Sequence, residues 1–104
     1  LTDYVKVISA ENVDFSIRAH IILYKDADET SVKETLAGRM NEYKVSLSEK
    51  LGKNVIQSQI TAILNSIYGV FKVVLEEPED IDIKEYQWAN LTNYDITIGG
   101  YADE

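Results

Sequence analysis

Cysteine is absent from the 104 residues, so neither disulfides nor thiolate metal ligands hold this chain together. That suits a reducing compartment. His20 is the only histidine, far short of the three or four soft or imidazole ligands that zinc takes. A lone histidine without a nucleophile motif nearby also builds no Ser-His-Asp arrangement. The five glycines are dispersed, so neither a dinucleotide fingerprint nor a phosphate loop can be assembled from them. Basic residues are scarce, 10 against 18 acidic ones for a net charge of −8. A field of that sign repels phosphates, which excludes nucleic acid and anionic membrane surfaces as expected partners. No apolar run approaches the ~18–20 residues that span a bilayer, and no charged-then-apolar leader opens the chain.

What remains is the material of one domain. Hydrophobic residues make up 45% and charged residues 27%, ordinary proportions for a globular protein. The length supports one core but not two, so residues 1–104 are expected to form a single domain. Because the chain begins with Leu1 rather than Met, it is expected to be a fragment of a longer protein.

Hydrophobic periodicity sets out the elements. Residues 4–10 read as a short strand broken at Glu11-Asn12. From Val13 the alternation is cleaner: Val13, Phe15, Ile17, Ala19, Ile21 and Leu23 share one face, with Asp14, Ser16, Arg18 and His20 on the other. A sheet with one buried face requires this pattern. After a polar loop at 25–29, Ser31-Val32-Lys33-Glu34 fits a capping box. Val32, Leu36, Met40, Tyr43, Leu47 and Leu51 then recur at steps of three and four, predicting a helix with one apolar stripe that ends at Gly52. The stripe reads as a core-facing seam, or as a coiled-coil surface, although it covers fewer than the ~3–4 heptads that favour the latter.

Ser58 is placed to cap a second helix with Ile60, Ile63, Leu64 and Ile67 inward, ended by Tyr68-Gly69. A third strand follows from Gly69, with Phe71, Val73 and Leu75 on one face and Val70, Lys72 and Val74 on the other. Glu77-Pro78 stops it, because proline cannot donate to a ladder. A fourth strand is expected near residues 93–98. Two consecutive helices bring the chain back to the end of the sheet where the second strand finished. The third strand therefore runs antiparallel to the second. The expected fold is a two-layer α+β sandwich in the order β-β-α-α-β-β, a mainly antiparallel sheet of about four strands with two helices on one face.

Chemistry is harder to find. The charged cluster Glu76, Glu77, Glu79, Asp80, Asp82 and Glu85 reads as a solvated loop, as a contact for a basic partner, or as a cation site. Its spacing fits no EF-hand loop and lacks that loop's glycine. Seven tyrosines and one tryptophan are many for this length. Tyr86 and Trp88, two apart, share a face if the segment is extended. Such residues close over a core edge or form a partner-facing patch, since interfaces enrich for amphipathic rings. Tyr86, Trp88, Tyr94 and Tyr101 are the candidate interface residues. No residue is assigned to catalysis, and no cofactor, metal or small-molecule substrate is expected.

The ordered set resembles the C-terminal domain of the baseplate J family, proteins of phage tails and related contractile injection machines. The resemblance rests on Val13-Asp14-Phe15-Ser16-Ile17 leading to Leu23-Tyr24, then Lys25-Asp26-Ala27-Asp28 and the long helix. It continues through Val55-Ile56-Gln57-Ser58-Gln59-Ile60 and Ile67-Tyr68-Gly69-Val70-Phe71-Lys72-Val73. Residues 85–92 and Tyr94-Asp95-Ile96-Thr97-Ile98 are similar to the family's close. Tyr86-Gln87-Trp88 departs from the family pattern, in which smaller aliphatic residues are expected. The resemblance implies a structural, non-enzymatic component of the tail baseplate, present in multiple copies and contacting other tail proteins. It implies assembly in the bacterial cytoplasm and residence in the virion. The alternatives are a small-ligand or peptide-binding adaptor, motivated by Tyr86 and Trp88, and an enzyme built from scattered carboxylates and tyrosines. Reproducible thermal stabilisation by a metabolite favours the adaptor; turnover lost on mutating one carboxylate favours the enzyme.

Overall fold

The computed structural model describes residues 10–102. In chain order the elements are β1 (Glu11–Leu23), α1 (Glu29–Ser48), α2 (Gln57–Asn65), β2 (Val70–Glu77) and β3 (Gln87–Tyr101). The expected α+β class holds. The short strand expected over residues 4–10 lies outside the described residues except for Ala10, which is not in a strand. Among the described residues the sheet has three strands in the order β2-β1-β3.

The alternation in β1 is realised in full. Phe15, Ile17, Ala19, Ile21 and Leu23 are buried, and Asp14, Ser16 and Arg18 are exposed. As expected, β2 pairs antiparallel with β1, from Leu23 opposite Val70 to Arg18 opposite Glu77. The longer pairing is parallel, however. Along the whole of β1, β3 runs from Glu11 opposite Gln87 to Leu23 opposite Tyr101. The mainly antiparallel sheet is thus corrected to a mixed one. The crossover explains the change: β2 stops partway down one edge of β1, and residues 78–86 carry the chain on to the level of Glu11. There Glu11 N–H donates to Tyr86 O at 3.1 Å. From that end, β3 has only one direction to run, back up the other edge.

The two helices differ in how they begin. In α1, Asp28 is the cap residue; its extended backbone (φ −88°, ψ 108°) leaves its carbonyl to accept Val32 N–H at 3.0 Å. The helix therefore starts before the Ser31 capping box, and Ser31 Oγ instead donates back to Asp28 Oδ2 at 2.7 Å. In α2, Ser58 lies inside the helix rather than capping it. The orphan amide of Gln57 donates to Asp80 Oδ1 at 2.8 Å, a cap supplied by the crossover.

Val32, Leu36, Met40, Tyr43 and Leu47 of α1 are buried. Leu51 lies past the helix, which ends at Ser48 rather than at Gly52, and is exposed. Gly52 has a different task. At φ +76° it lies so close to the crossover that a Cβ would stand 3.2 Å from Glu85 Cα, and its N–H donates to Gln87 O at 2.9 Å. Ile60 and Leu64 of α2, with Val55 and Ile67 beside it, complete one core against β1. Each such fully buried aliphatic side chain contributes about 1.5–3 kcal/mol.

Candidate interaction surface

The four aromatic residues expected to mark an interface do not form one patch. Tyr86 sits in the turn before β3 and Trp88 within it, so they do not share one extended segment. Trp88 lies opposite Asn12 and borders a shallow recess of about 240 Å³ with Ser48 and Asn90. Tyr94 pairs with Ile17 on the helix side, beside Met40 and Lys44 of α1. Tyr101 ends β3. At about 3.3 Å per residue, Trp88 and Tyr101 stand on the order of 40 Å apart.

Tyr101 is tied into the fold by its hydroxyl, which donates to Glu29 Oε1 at 2.9 Å. Lys33 Nζ lies 3.1 Å from the other Glu29 oxygen. The Lys33 hydrogen bond, then that from Tyr101, holds the Glu29 carboxyl below its ordinary range. The same carboxylate raises the Tyr101 phenol above its own range. This exposed triad fastens the end of β3 to the first turn of α1.

The face of the sheet away from the helices is divided in two. Its middle carries a polar network across all three strands. His20 Nδ1 lies 2.7 Å from Thr97 Oγ1 on β3, and His20 Nε2 lies 2.9 Å from Glu76 Oε2 on β2. Arg18 donates from Nε to Glu76 Oε1 at 3.0 Å and stands 3.4 Å from Glu77. Cross-strand pairs of this kind hold register, each worth about 0.2–1 kcal/mol. Three of the six residues in the acidic cluster are thereby occupied, Glu76 and Glu77 in ion pairs and Asp80 in capping α2. Among the described residues, no group of three or more His, Asp or Glu side chains is placed to hold a metal ion.

Beyond the network, toward the end of β1, this face turns apolar. Tyr24, Phe71 and Val74 are exposed, with the Tyr24 and Phe71 rings edge to face at 5.3 Å. Phe71 was expected on the inward face with Val73 and Leu75. A bulge between Val70 and Lys72 reverses the phase, so Val70 is buried and Phe71 is not. A second bulge between Leu75 and Glu77 gives Glu76 its place in the network. Tyr68, in the turn after α2, is 96% exposed. Periodicity misplaces Phe71 and is silent on Tyr68, because a bulge decides the first and a turn the second.

The C-terminal domain of Baseplate J-like protein matches residues 13–98, most of the chain. The chain belongs to that family. No curated protein matches it. Baseplate J-like C-terminal domains are structural parts of the phage tail baseplate and are not known as enzymes, which places this chain among tail components. The family match runs from Val13 in β1 to Ile98 in β3, so the bulges of β2 and the crossover belong to the shared region.

Proposed function

We propose that this Baseplate J-like domain acts in tail assembly by protein–protein contact, as a repeated component that positions its neighbours and passes on rearrangement when the tail contracts. The family match over residues 13–98 carries the reading. Aromatic side chains left exposed at both ends of the sheet support it: Tyr24, Tyr68 and Phe71 at one end, Tyr86 at the other. Rings in such positions add little to this chain's own core and much to an interface. Tyr86 and Trp88 serve one contact and Tyr101 steadies the opposite end, with Tyr94 between them. The domain is the C-terminal part of a longer baseplate protein, assembled in the bacterial cytoplasm and retained in the virion.

Deleting the coding region for this domain should leave heads intact and abolish complete tails by electron microscopy. Normal infectious tails after deletion would falsify the proposal.

A further inference from the structure

Where β1 ends and α2 gives way to β2, the surface holds a recess of about 420 Å³. That volume suits a long side chain rather than a few waters. Tyr24 and Tyr68 line it together with Asp26, Asp28, Ala27 and Val32. Tyr68, at 96% exposed, gains almost nothing from the fold. Gly69 beside it is held at φ +100°, its missing Cβ leaving room 3.1 Å from Ala27 Cβ and Val32 Cγ2. The turn thus presents Tyr68 from a tightly seated backbone. Among the described residues the Asp28 carboxylate accepts only the Ser31 hydroxyl, and no basic group pairs with Asp26.

We infer that this recess receives an arginine side chain from a neighbouring tail protein. The inference rests on the baseplate reading for the kind of partner. Two tyrosine rings and two carboxylates lining one recess suit a guanidinium, whose plane stacks on rings while its fork of donors meets carboxylate oxygens. A second copy of this chain does not fit. Its net charge of −8 repels another, and its two arginines are engaged, Arg18 with Glu76 and Glu77, Arg39 with Ser66. The ridge of Tyr24, Phe71 and Val74 continues from the recess and would take apolar residues flanking the arginine.

The test is an NMR titration of the ¹⁵N-labelled 104-residue chain with N-acetyl-arginine amide, using the citrulline and lysine amides as controls. Saturable shifts should centre on Asp26, Asp28, Tyr68 and Gly69, with none from citrulline and weaker binding of lysine. Tyr68→Ala should weaken arginine binding about two- to five-fold, the range of an exposed cation–π contact. The variant's unperturbed spectrum elsewhere verifies its fold. Equal binding of citrulline or lysine overturns the assignment, as do shifts scattered over Glu79, Asp82 and Glu85. Either result leaves the baseplate reading standing, since that falls only if tails assemble without the domain.

Discussion

Replacing Tyr43 by Phe should make the domain more stable, although it deletes a polar group and adds nothing. Tyr43 lies in the middle of the α1 stripe and is 5% exposed; its hydroxyl is buried without a hydrogen-bond partner among the described residues. A hydroxyl taken from water and left unpaired costs about 1–3 kcal/mol. Phenylalanine keeps the ring and its contacts. The void left by one oxygen, on the order of one water-sized sphere, costs roughly 0.3 kcal/mol. The balance favours Tyr43→Phe by about 1–2 kcal/mol, or roughly 4–16 °C in Tm for a domain of this size. Urea unfolding followed by the fluorescence of Trp88, the only tryptophan, should show a higher midpoint and an unchanged slope. Alkaline pH gives an independent check. Burial pushes the Tyr43 phenol up to about 12. Its folded-state value lies above the unfolded one, so the unfolded chain releases this proton first. Its titration leaves stability unchanged below about pH 10 and lowers it as pH rises from there toward 12. Between pH 9 and 11 the wild type should lose about 1 kcal/mol more than the Phe variant. A Phe variant that is less stable than wild type means the hydroxyl has a partner, and one with the same alkaline slope means the phenol is solvated; either result refutes the account.

Asp80→Ala should cost about 1 kcal/mol in chemical denaturation by removing the cap on Gln57, and Asp80→Asn should restore most of it; equal losses would show that the carboxylate acts only by charge. Gly69→Ala should lower stability by roughly 1–3 kcal/mol, since φ +100° and two contacts at 3.1 Å both oppose a Cβ. Gly38→Ala, in the exposed middle of α1 with nothing among the described residues within 4 Å of the new Cβ, should raise stability by about 0.5–1 kcal/mol in the same assay. Leu64→Ala, at 0% exposure, should cost about 2–5 kcal/mol by thermal unfolding, and a cost under 1 kcal/mol would mean that α2 is not seated on the sheet.

The legible parts of this chain were those set by local repetition. A strand with one buried face must alternate, so the two faces of β1 could be read from Phe15 to Leu23. A helix lying on a sheet must repeat its apolar residues at three and four, which marked Val32 through Leu47. Other features escaped because their causes lie elsewhere in the chain. The cap of α2 comes from Asp80, 23 residues beyond the amide it serves. The true start of α1 turned on the backbone of Asp28 rather than on the capping-box residues. Bulges at Phe71 and Glu76 shift the phase at the two ends of β2 while Val73 and Leu75 stay inward, and an alternating pattern with one extra residue reads equally well in either phase.

By itself the sequence determined the class, the helix seam, the faces of the central strand and the family to which the order of elements belongs. These depend on periodicity and on punctuation such as Gly69 and Pro78, which act within a few residues. Only the tertiary structure decided that β3 runs parallel to β1, that Tyr101 locks onto Glu29, and that Tyr24, Tyr68 and Phe71 gather at one end. Each joins residues dozens of positions apart. The first two follow from how the crossover returns the chain to Glu11 and the third from the bulged pairing of β1 with β2, and no local pattern encodes either.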